Sequence, residues 1–233
     1  MASSVTHLAE VGSTNDWLLA QAGSLLDGHW VIADRQTAGR GRRGRVWNDG
    51  SGNFMGSVLV RATGDVQQLS FVAALALHDA LSSLAGQPER FALKWPNDVL
   101  LDGVKCSGIL LERLGDALVV GIGVNLAHHP ADTERPAISL AAAGLPVPSP
   151  PALLEPLSAA FERWRSLWQA QGFAPVRDAW LARAAGVGAR VVARLGTEAP
   201  EGVFDGLAED GALLLRLDDG QVRAIHAGEV FAL

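Results

Sequence analysis

The sequence predicts an α+β fold, in which a mixed, mostly antiparallel sheet is backed by helices and followed by a small SH3-like β-barrel. Short apolar runs bounded by turn residues alternate with long segments whose apolar residues recur at helical spacing. Asp102-Gly103 separates two apolar runs, which is a strong signal for an antiparallel hairpin. From residue 189 onward, short alternating runs are separated by turns, as in a small barrel. We therefore expect one domain at 1–186 and a second at 187–233.

The elements before residue 125 follow from local patterns. Ser13 and Thr14 are good N-caps for a short helix that carries Trp17. Apolar residues at helical spacing predict a helix at 66–84. Strands are expected at 30–33, 54–60, 91–95, 99–101, 104–111 and 117–124. The last of these is almost continuously apolar, which is typical of the centre of a buried sheet.

The second half of the chain first predicts helices and then short strands. Pro150 and Pro151 suit the first turn of a long helix. Its apolar stripe consists of Leu153, Leu157, Phe161, Trp164 and Trp168. A further helix is expected at about 176–184. The boundary is placed near residues 186–188, and short alternating runs that predict five strands follow it.

Composition limits the functions that the chain can have. The net charge of -6 argues against a nucleic-acid-binding protein or a membrane-surface protein, because both usually present a net basic face. The single cysteine, Cys106, excludes a disulfide framework and fits a reducing cytoplasm. We find no secretory leader and no stretch of about 18 uncharged apolar residues, so no membrane association is expected.

The most informative segment is the arginine loop, residues 39–47 (GRGRRGRVW). Four arginines and three glycines occupy positions 39–45. Clustered guanidinium groups repel one another unless they meet an anion, and glycines allow a close approach of the backbone to that anion. Trp47 adds a flat face for a purine base. A solvated basic loop remains the simpler alternative, whereas a dinucleotide fingerprint is excluded because no helix follows the glycines.

Further polar residues lie at strand ends. In the segment 94–99 (KWPNDV), Asn97 and Asp98 follow a strand, where Asp98 could hold Mg²⁺ or simply form a local turn. Lys105, next to the hairpin, could contact a phosphate or carboxylate, or lie along the surface. Gly108 within a strand indicates a close approach by a ligand or by backbone. For Cys106 we expect a buried packing role.

Two more segments complete the set of candidates. Gly121 and Gly123 lie on the same face of an apolar strand, so a flat ligand could lie on that face beside Asn125. A close contact between a helix and the sheet would explain the same glycines. Near the N-terminus, residues 13–15 (STN) and Gln36 are polar, although helix capping alone explains Ser13 or Thr14.

Taken together and in this order, these segments resemble the biotin protein ligases. The resemblance runs through STN at 13, the loop from Gln36 to Trp47, KWPNDV at 94, KCSGIL at 105 and GIGVN at 121. It covers nearly the whole chain, including the C-terminal AGEVFAL, where the family more often has GGE. It implies a class II synthetase-like catalytic fold and an ATP-dependent, AMP-forming reaction that attaches biotin to a lysine of a biotin carboxyl carrier protein domain.

The resemblance also implies roles for individual residues. Lys105, Arg40 and Asp98 would be catalytic, and Asp98 would bind Mg²⁺ or orient the acceptor lysine. The biotin-binding residues would be Ser13, Thr14, Asn15, Gln36, Gly39, Arg40, Gly41, Arg42, Lys105 and Gly108. The ATP-binding residues would be Arg40, Arg42, Arg45, Trp47, Asn97, Lys105 and Asn125.

Some alternatives stay open at this stage. A lipoate-protein ligase shares the fold and the type of chemistry, and a sensor of biotin or nucleotide without transfer activity is a rival from another class. Because STN already begins at residue 13, no room is expected for the DNA-binding domain that makes some relatives repressors. The sequence leaves a homodimer open.

Overall fold

A computed structural model describes residues 4–47, 51–62, 64–131 and 136–233. Within these ranges the chain forms a seven-stranded sheet, a five-stranded sheet and four α-helices. The connection expected between the strands at 30–33 and 54–60 includes residues 48–50, which lie outside the described ranges. The predicted α+β class is confirmed.

The larger sheet has the strand order β1-β2-β3-β7-β6-β5-β4. Its strands are β1 (Val5–Leu8), β2 (Trp30–Ala33), β3 (Phe54–Arg61), β4 (Phe91–Lys94), β5 (Asp98–Leu101), β6 (Val104–Leu114) and β7 (Ala117–Val124). Strand β1 pairs with β2 in parallel, and the other neighbours are antiparallel. The sheet is therefore mixed and mostly antiparallel, and β7 lies at its centre, both as predicted. Strand β1 was not predicted.

The helices are α1 (Thr14–Gln21), α2 (Leu69–Ala85), α3 (Pro150–Gln171) and α4 (Ala174–Leu181). A turn of 3₁₀-helix at Val66–Gln68 precedes α2, so the helix predicted at 66–84 is regular only from Leu69. Helix α4 ends at Leu181, whereas the predicted helix continued to about residue 184. The chain after it pairs with β4 instead, because the N–H groups of Leu93 and Ala185 donate to the carbonyl groups of Arg183 and Leu93.

The two faces of the larger sheet bury different residues. Alternate side chains such as Val58, Val120 and Ile122 belong to the main core, which also contains α2, α3 and α4. The opposite face packs against α1 through a small cluster that includes Leu18 and Leu59. Beyond this cluster the α1 face of β7 continues with Gly121 and Gly123, so the strand itself contributes no side chains to that part of the face.

The smaller sheet has the order β11-β10-β9-β8-β12 and is antiparallel. Its strands are β8 (Arg190–Arg194), β9 (Glu201–Leu207), β10 (Leu213–Arg216), β11 (Val222–Ile225) and β12 (Glu229–Ala232). The five predicted C-terminal strands are thus confirmed, with a bulge between Leu214 and Leu215. Phe204 and Leu213 belong to the main core, which is continuous across the two sheets. The domain boundary after residue 186 stays a prediction.

One segment has the length and apolar character of a membrane span. It is Val66–Ala85, and 72% of its most apolar window is buried inside the protein. Such burial is what the core helix of a globular fold shows, and α2 packs between α3 and the sheet.

Candidate functional site

A cavity of about 350 Å³ opens on the α1 face of the larger sheet. Its walls come from the N-terminus of α1, the arginine loop, strands β5 to β7 and the start of β12. The predicted site residues that line it are Ser13, Thr14, Asn15, Gln36, Arg40, Gly41, Arg42, Arg45, Trp47, Asn97, Asp98, Lys105, Gly108 and Asn125. Gly39 lines a neighbouring depression under the loop. The structure therefore brings the predicted residues together at one place.

One end of the cavity is polar and buried, and we call it the polar end. Thr14, Asn15 and Gln36 line it, and Ser57 supports them through hydrogen bonds. The backbone N–H and the hydroxyl of Thr14 both donate to Gln36 Oε1, at 2.7 and 2.9 Å. Ser57 Oγ lies 2.7 Å from Thr14 Oγ1 and 2.6 Å from Asn15 Oδ1. These bonds fix the orientation of the hydroxyl and amide groups before any ligand arrives.

The other end carries charge, and we call it the charged end. It is formed by Arg42, Asn97, Asp98 and Lys105. Lys105 Nζ donates to Asp98 Oδ1 at 2.6 Å across the hairpin of β5 and β6. The Asp98 side chain is 14% exposed and that of Lys105 33% exposed, so the pair is only partly screened by water.

Arg42 reaches the charged end from the tip of the arginine loop. Its Nη1 donates to Asn97 Oδ1 at 3.1 Å, and Asn97 Nδ2 donates in turn to the carbonyl of Ile109 at 2.7 Å. Desolvation lowers the pKa of Arg42, and the nearby charge of Asp98 opposes that shift. Among the described residues no carboxylate forms a salt bridge with Arg42. A partly desolvated cation whose partner is a neutral amide is well suited to bind an anion.

Arg40, two residues earlier, has a different environment. Its Nε donates to Glu112 at 3.1 Å, and its terminal nitrogens donate to Glu112 and to Asp16, the latter at 2.5 and 2.6 Å. These two carboxylates raise the pKa of Arg40, and hydrogen bonding to Arg40 lowers the pKa of Asp16. Neither carboxylate was predicted from the sequence.

The arginine loop closes on itself. The N–H of Trp47 donates to the carbonyl of Gly39 at 3.0 Å, and the N–H of Gly41 donates to the carbonyl of Arg45 at 2.7 Å. Between them Arg43 has a left-handed backbone with φ of 59°. Arg45 also forms an ion pair with Glu229 of β12, which connects the loop to the smaller sheet.

Trp47 lies on the glycine face of the sheet. A Cβ atom added to Gly123 would come within 2.4 Å of the Trp47 ring, and one added to Gly108 within 3.4 Å. A Cβ atom at Gly121 would come within 2.4 Å of Asn15 Oδ1. The predicted flat face therefore exists, but in this structure the face is covered by Trp47 and Asn15 of the chain itself.

Asn125 and Cys106 have mainly local contacts. Asn125 is buried, its backbone N–H donates to the carbonyl of Cys106 at 2.8 Å, and its Nδ2 donates to that of Ile138 at 3.3 Å. Cys106 is buried as well, and this burial raises the pKa of its thiol to about 12. The thiol is therefore protonated at neutral pH, and the predicted packing role of Cys106 is confirmed.

Sequence reasoning missed several residues that complete the site. They are Asp16, Ser57, Lys94, Glu112 and Glu229. Ser57 could have been found, since it is the one polar side chain in the otherwise apolar run at 54–60 that was predicted as a strand. Glu112 could have been found from the alternation that also places Gly108 and Leu110 on the site face of β6.

The metal-binding side chains in the cavity limit how the predicted Mg²⁺ ion could be held. Within the described residues no group of three or more His, Cys, Asp or Glu residues could hold a metal ion. Asp98 alone therefore fits Mg²⁺ only as one protein ligand of an ion held mainly by substrate phosphates, which is a usual arrangement for this metal.

The chain is similar to known proteins along most of its length. Residues 9–127 match the family model described as biotin/lipoate A/B protein ligase family, and residues 187–233 match the biotin protein ligase C-terminal domain. The chain is 46% identical to a biotin–[acetyl-CoA-carboxylase] ligase of Paracoccus denitrificans, over 96% of this chain and 98% of the relative. It is 36% identical to the corresponding ligase of Mycobacterium tuberculosis, over 97% and 88% of the two chains.

Solved structures of similar proteins share the fold. The biotin protein ligase of Aquifex aeolicus in complex with biotin and ATP superposes with a TM-score of 0.88 at 28% identity, over 100% of both chains. The biotin protein ligase of Leishmania major in complex with biotin has a TM-score of 0.69 at 26% identity, over 97% of this chain and 100% of the other. The chain therefore belongs to the biotin/lipoate A/B protein ligase family, and it carries the C-terminal domain of biotin protein ligases.

Proposed function

We propose that the chain is an ATP-dependent biotin protein ligase that modifies the carrier domain of a biotin-dependent carboxylase. In the first step a carboxylate oxygen of biotin attacks the α-phosphorus of ATP, which forms biotinyl-5′-AMP and releases pyrophosphate. In the second step the amine of an acceptor lysine attacks the acyl carbon, which forms an amide and releases AMP. The observation that carries the proposal is a single cavity with a neutral polar end and a cationic end.

The polar end suits the uncharged head of biotin. A ureido ring presents one carbonyl acceptor and two N–H donors, and the polar end offers hydroxyl and amide groups whose directions are already fixed. Ser13, Thr14, Asn15 and Gln36 are the residues proposed to bind or surround that ring. Such preorganisation reduces the entropy lost on binding. Gly39 and Gly41 give the loop room to approach the ligand.

The charged end suits the reacting groups. Bringing a carboxylate against a triphosphate requires positive charge where the two anions meet. Lys105 and Arg42 supply that charge, and Gly108 leaves room beside Lys105, whose Nζ would lie 3.2 Å from a Cβ added there. Asp98 holds the Lys105 ammonium through their 2.6 Å contact. Orientation of the acceptor lysine is a second role that Asp98 could take.

The nucleotide would occupy the part of the cavity near the glycine face. Trp47 offers its ring, while Asn97, Asn125 and Arg45 lie around it and provide amide groups and a further cation. If Mg²⁺ accompanies ATP, Asp98 is the residue proposed to hold it, and the ion would neutralise charge on the phosphates. Exclusion of water by the arginine loop would protect the mixed anhydride from hydrolysis.

The same chemistry leads us to propose the partner, the substrates and the location of the enzyme. The partner is a biotin carboxyl carrier protein domain, and the substrates are biotin and ATP. A cytoplasmic location agrees with the use of ATP and with the buried, protonated thiol of Cys106. The sequence expectation of no nucleic-acid partner is retained, with the net charge of -6 as its support.

A pyrophosphate-exchange assay tests the substrate. We expect exchange of labelled pyrophosphate into ATP with biotin, and far less with lipoate or octanoate. A purified carrier domain incubated with enzyme, ATP and biotin should then gain the mass of one biotinyl group, and its variant without the acceptor lysine should gain none. Exchange with lipoate but not with biotin would show a lipoate ligase. Biotin binding without either exchange or transfer would show a sensor.

A further inference from the structure

We propose that Arg40 is a positioning residue, held by Asp16 and Glu112, and that it fixes the base of the arginine loop rather than binding the substrate anion. Glu112 becomes a second positioning residue, because it connects the loop to the polar end. This inference rests on the proposed function and assigns to Arg40 a different role from the one implied by the family resemblance. The three residues are called the Arg40 clasp below.

Arg40 has already used most of its hydrogen-bond donors within the clasp. A guanidinium group has five N–H donors. In the clasp, Nε and one terminal nitrogen bond Glu112, and both terminal nitrogens bond Asp16. The resulting fork-to-carboxylate contacts leave little capacity for a further anion. The Arg40 side chain is 31% exposed and that of Glu112 25% exposed, so the contact is partly shielded from solvent.

The net charge of the clasp also disfavours the binding of an anion. One guanidinium between two carboxylates leaves the clasp with a net charge of about −1, so an approaching carboxylate or triphosphate is repelled there. Arg42 differs, because its hydrogen-bond partner is the neutral amide of Asn97. Of the two arginines, Arg42 therefore offers the positive charge to the substrate.

The clasp is connected to both ends of the cavity. Arg40 and Val46 form a β-bridge at the base of the loop, and the chain between them carries Arg42 to Asn97. On the other side, Asn15 Nδ2 donates to Glu112 Oε2 at 2.7 Å. A shift of Glu112 would therefore move the base of the loop and release an amide of the polar end.

A double-mutant cycle tests the clasp. Arg40→Gln, Glu112→Gln and the double variant are compared with wild type in biotin-dependent pyrophosphate exchange. Since a displacement of about 1 Å can cost about 100-fold, we expect each single variant to lose about 10- to 100-fold in kcat/KM for biotin. The double variant should lose no more than the worse single variant, because both changes remove the same contact.

Limited trypsin digestion of the ligand-free protein gives a readout that does not depend on activity. Glu112→Gln should accelerate cleavage after Arg42, Arg43 or Arg45, because the base of the loop is released. Asp16→Asn, at a more exposed position, should act in the same direction with a smaller effect. Asp205→Asn, which removes an exposed ion pair with Arg216 in the smaller sheet and leaves every trypsin site in place, is the matched control and should behave as wild type.

Two results would overturn the inference. If Glu112→Gln lowers or preserves the KM for biotin and leaves trypsin cleavage unchanged, Arg40 binds the substrate and is only restrained by Glu112. If the losses of the two single variants multiply in the double variant, the residues act independently. Failure of the proposed function is a separate outcome, since wild-type protein would then show no biotin-dependent exchange at all.

Discussion

The polar end and the charged end of the cavity are built in opposite ways. At the polar end, Ser57 is fully buried and Thr14 and Asn15 are nearly so, and they lie on a helix and a central strand. At the charged end, Arg42 lies at the tip of a loop and Lys105 beside a hairpin turn, and both are partly exposed. One end is therefore neutral and buried, and the other is charged, partly exposed and formed by a loop and the end of a hairpin.

This difference separates recognition from reaction. The ureido ring of biotin stays uncharged throughout both chemical steps, so a fixed set of hydrogen bonds can bind it equally well at every stage. The carboxylate becomes an anhydride and then an amide, so the groups around it must tolerate changing charge. Uniform binding lowers KM, whereas contacts that strengthen in the transition state raise kcat. We therefore expect substitutions at the two ends to change different kinetic constants.

The largest effect is expected at the charged end. Lys105→Met keeps the aliphatic stem and removes the ammonium group, and it should lower kcat of pyrophosphate exchange by about 100- to 1000-fold, as does loss of one preorganised charge stabiliser elsewhere. The KM for biotin should change far less. Thermal unfolding is the control for an intact fold. A normal kcat in a folded Lys105→Met protein would remove Lys105 from the reaction.

The matching test of the polar end is Gly121→Ala. The added methyl group would lie 2.4 Å from Asn15 Oδ1, and Asn15 is buried and bonded to both Ser57 and Glu112. Since Asn15 has little room to move, we expect the KM for biotin to rise about 10- to 100-fold, consistent with the about 1–3 kcal/mol that overpacking costs. A rise in the KM for ATP alone would contradict the division between the two ends.

Gly123→Ala changes the same face of the same strand two residues further on. Here the methyl group would meet the Trp47 ring at 2.4 Å, but Trp47 belongs to a loop and can shift. We therefore expect a smaller effect, an increase of about threefold to tenfold in the KM for ATP. Movement of the Trp47 ring would relieve most of the clash and leave a cost of about 1 kcal/mol. The KM for biotin should stay near its wild-type value, and pyrophosphate-exchange rates at varied ATP and at varied biotin concentration measure both constants.

The fold could be predicted wherever a local signal decided the structure. Asp102 and Gly103 both have positive φ, 52° and 78°, which is what a two-residue hairpin turn of this composition requires. Strand β1 could not be predicted, because its four residues alternate weakly and acquire their role by parallel pairing with β2, more than 20 residues away. Long-range pairing of this kind leaves no local pattern.

In the candidate site, too, the residues with a local sequence signal were predicted and the long-range contacts were not. Arginines, glycines and the tryptophan were found from their crowding in one loop, and the structure gathers them around one cavity. The sequence could not show that Trp47 covers the glycines of its own sheet, nor that Arg40 and Arg42 have different partners. Asp16 and Glu112 are 96 positions apart in the chain, as their numbers show, and only the fold brings both to Arg40.

The smallest effect on the site is expected from a charge that holds the helices together. Asp79 on α2 accepts hydrogen bonds from Arg163 and Trp164 of α3, and it lies 3.7 Å from Arg183. Burial alone would raise the pKa of Asp79, but hydrogen bonds from His78 and Trp164 and the charges of the arginines bring it down to about 2, from an ordinary value of 3.8.

Because the folded-state pKa of Asp79 is depressed, the carboxylate stabilises the protein above its ordinary pKa, and this contribution is lost as the pH falls from about 4 to about 2. Asp79→Asn should therefore lower the free energy of unfolding by about 1–2 kcal/mol at pH 7, with a smaller difference from wild type near pH 2. Urea unfolding at several pH values measures this. If Asp79→Asn also changed the KM for biotin or kcat as strongly as Gly121→Ala or Lys105→Met, general stability rather than local geometry would explain the difference between the two ends.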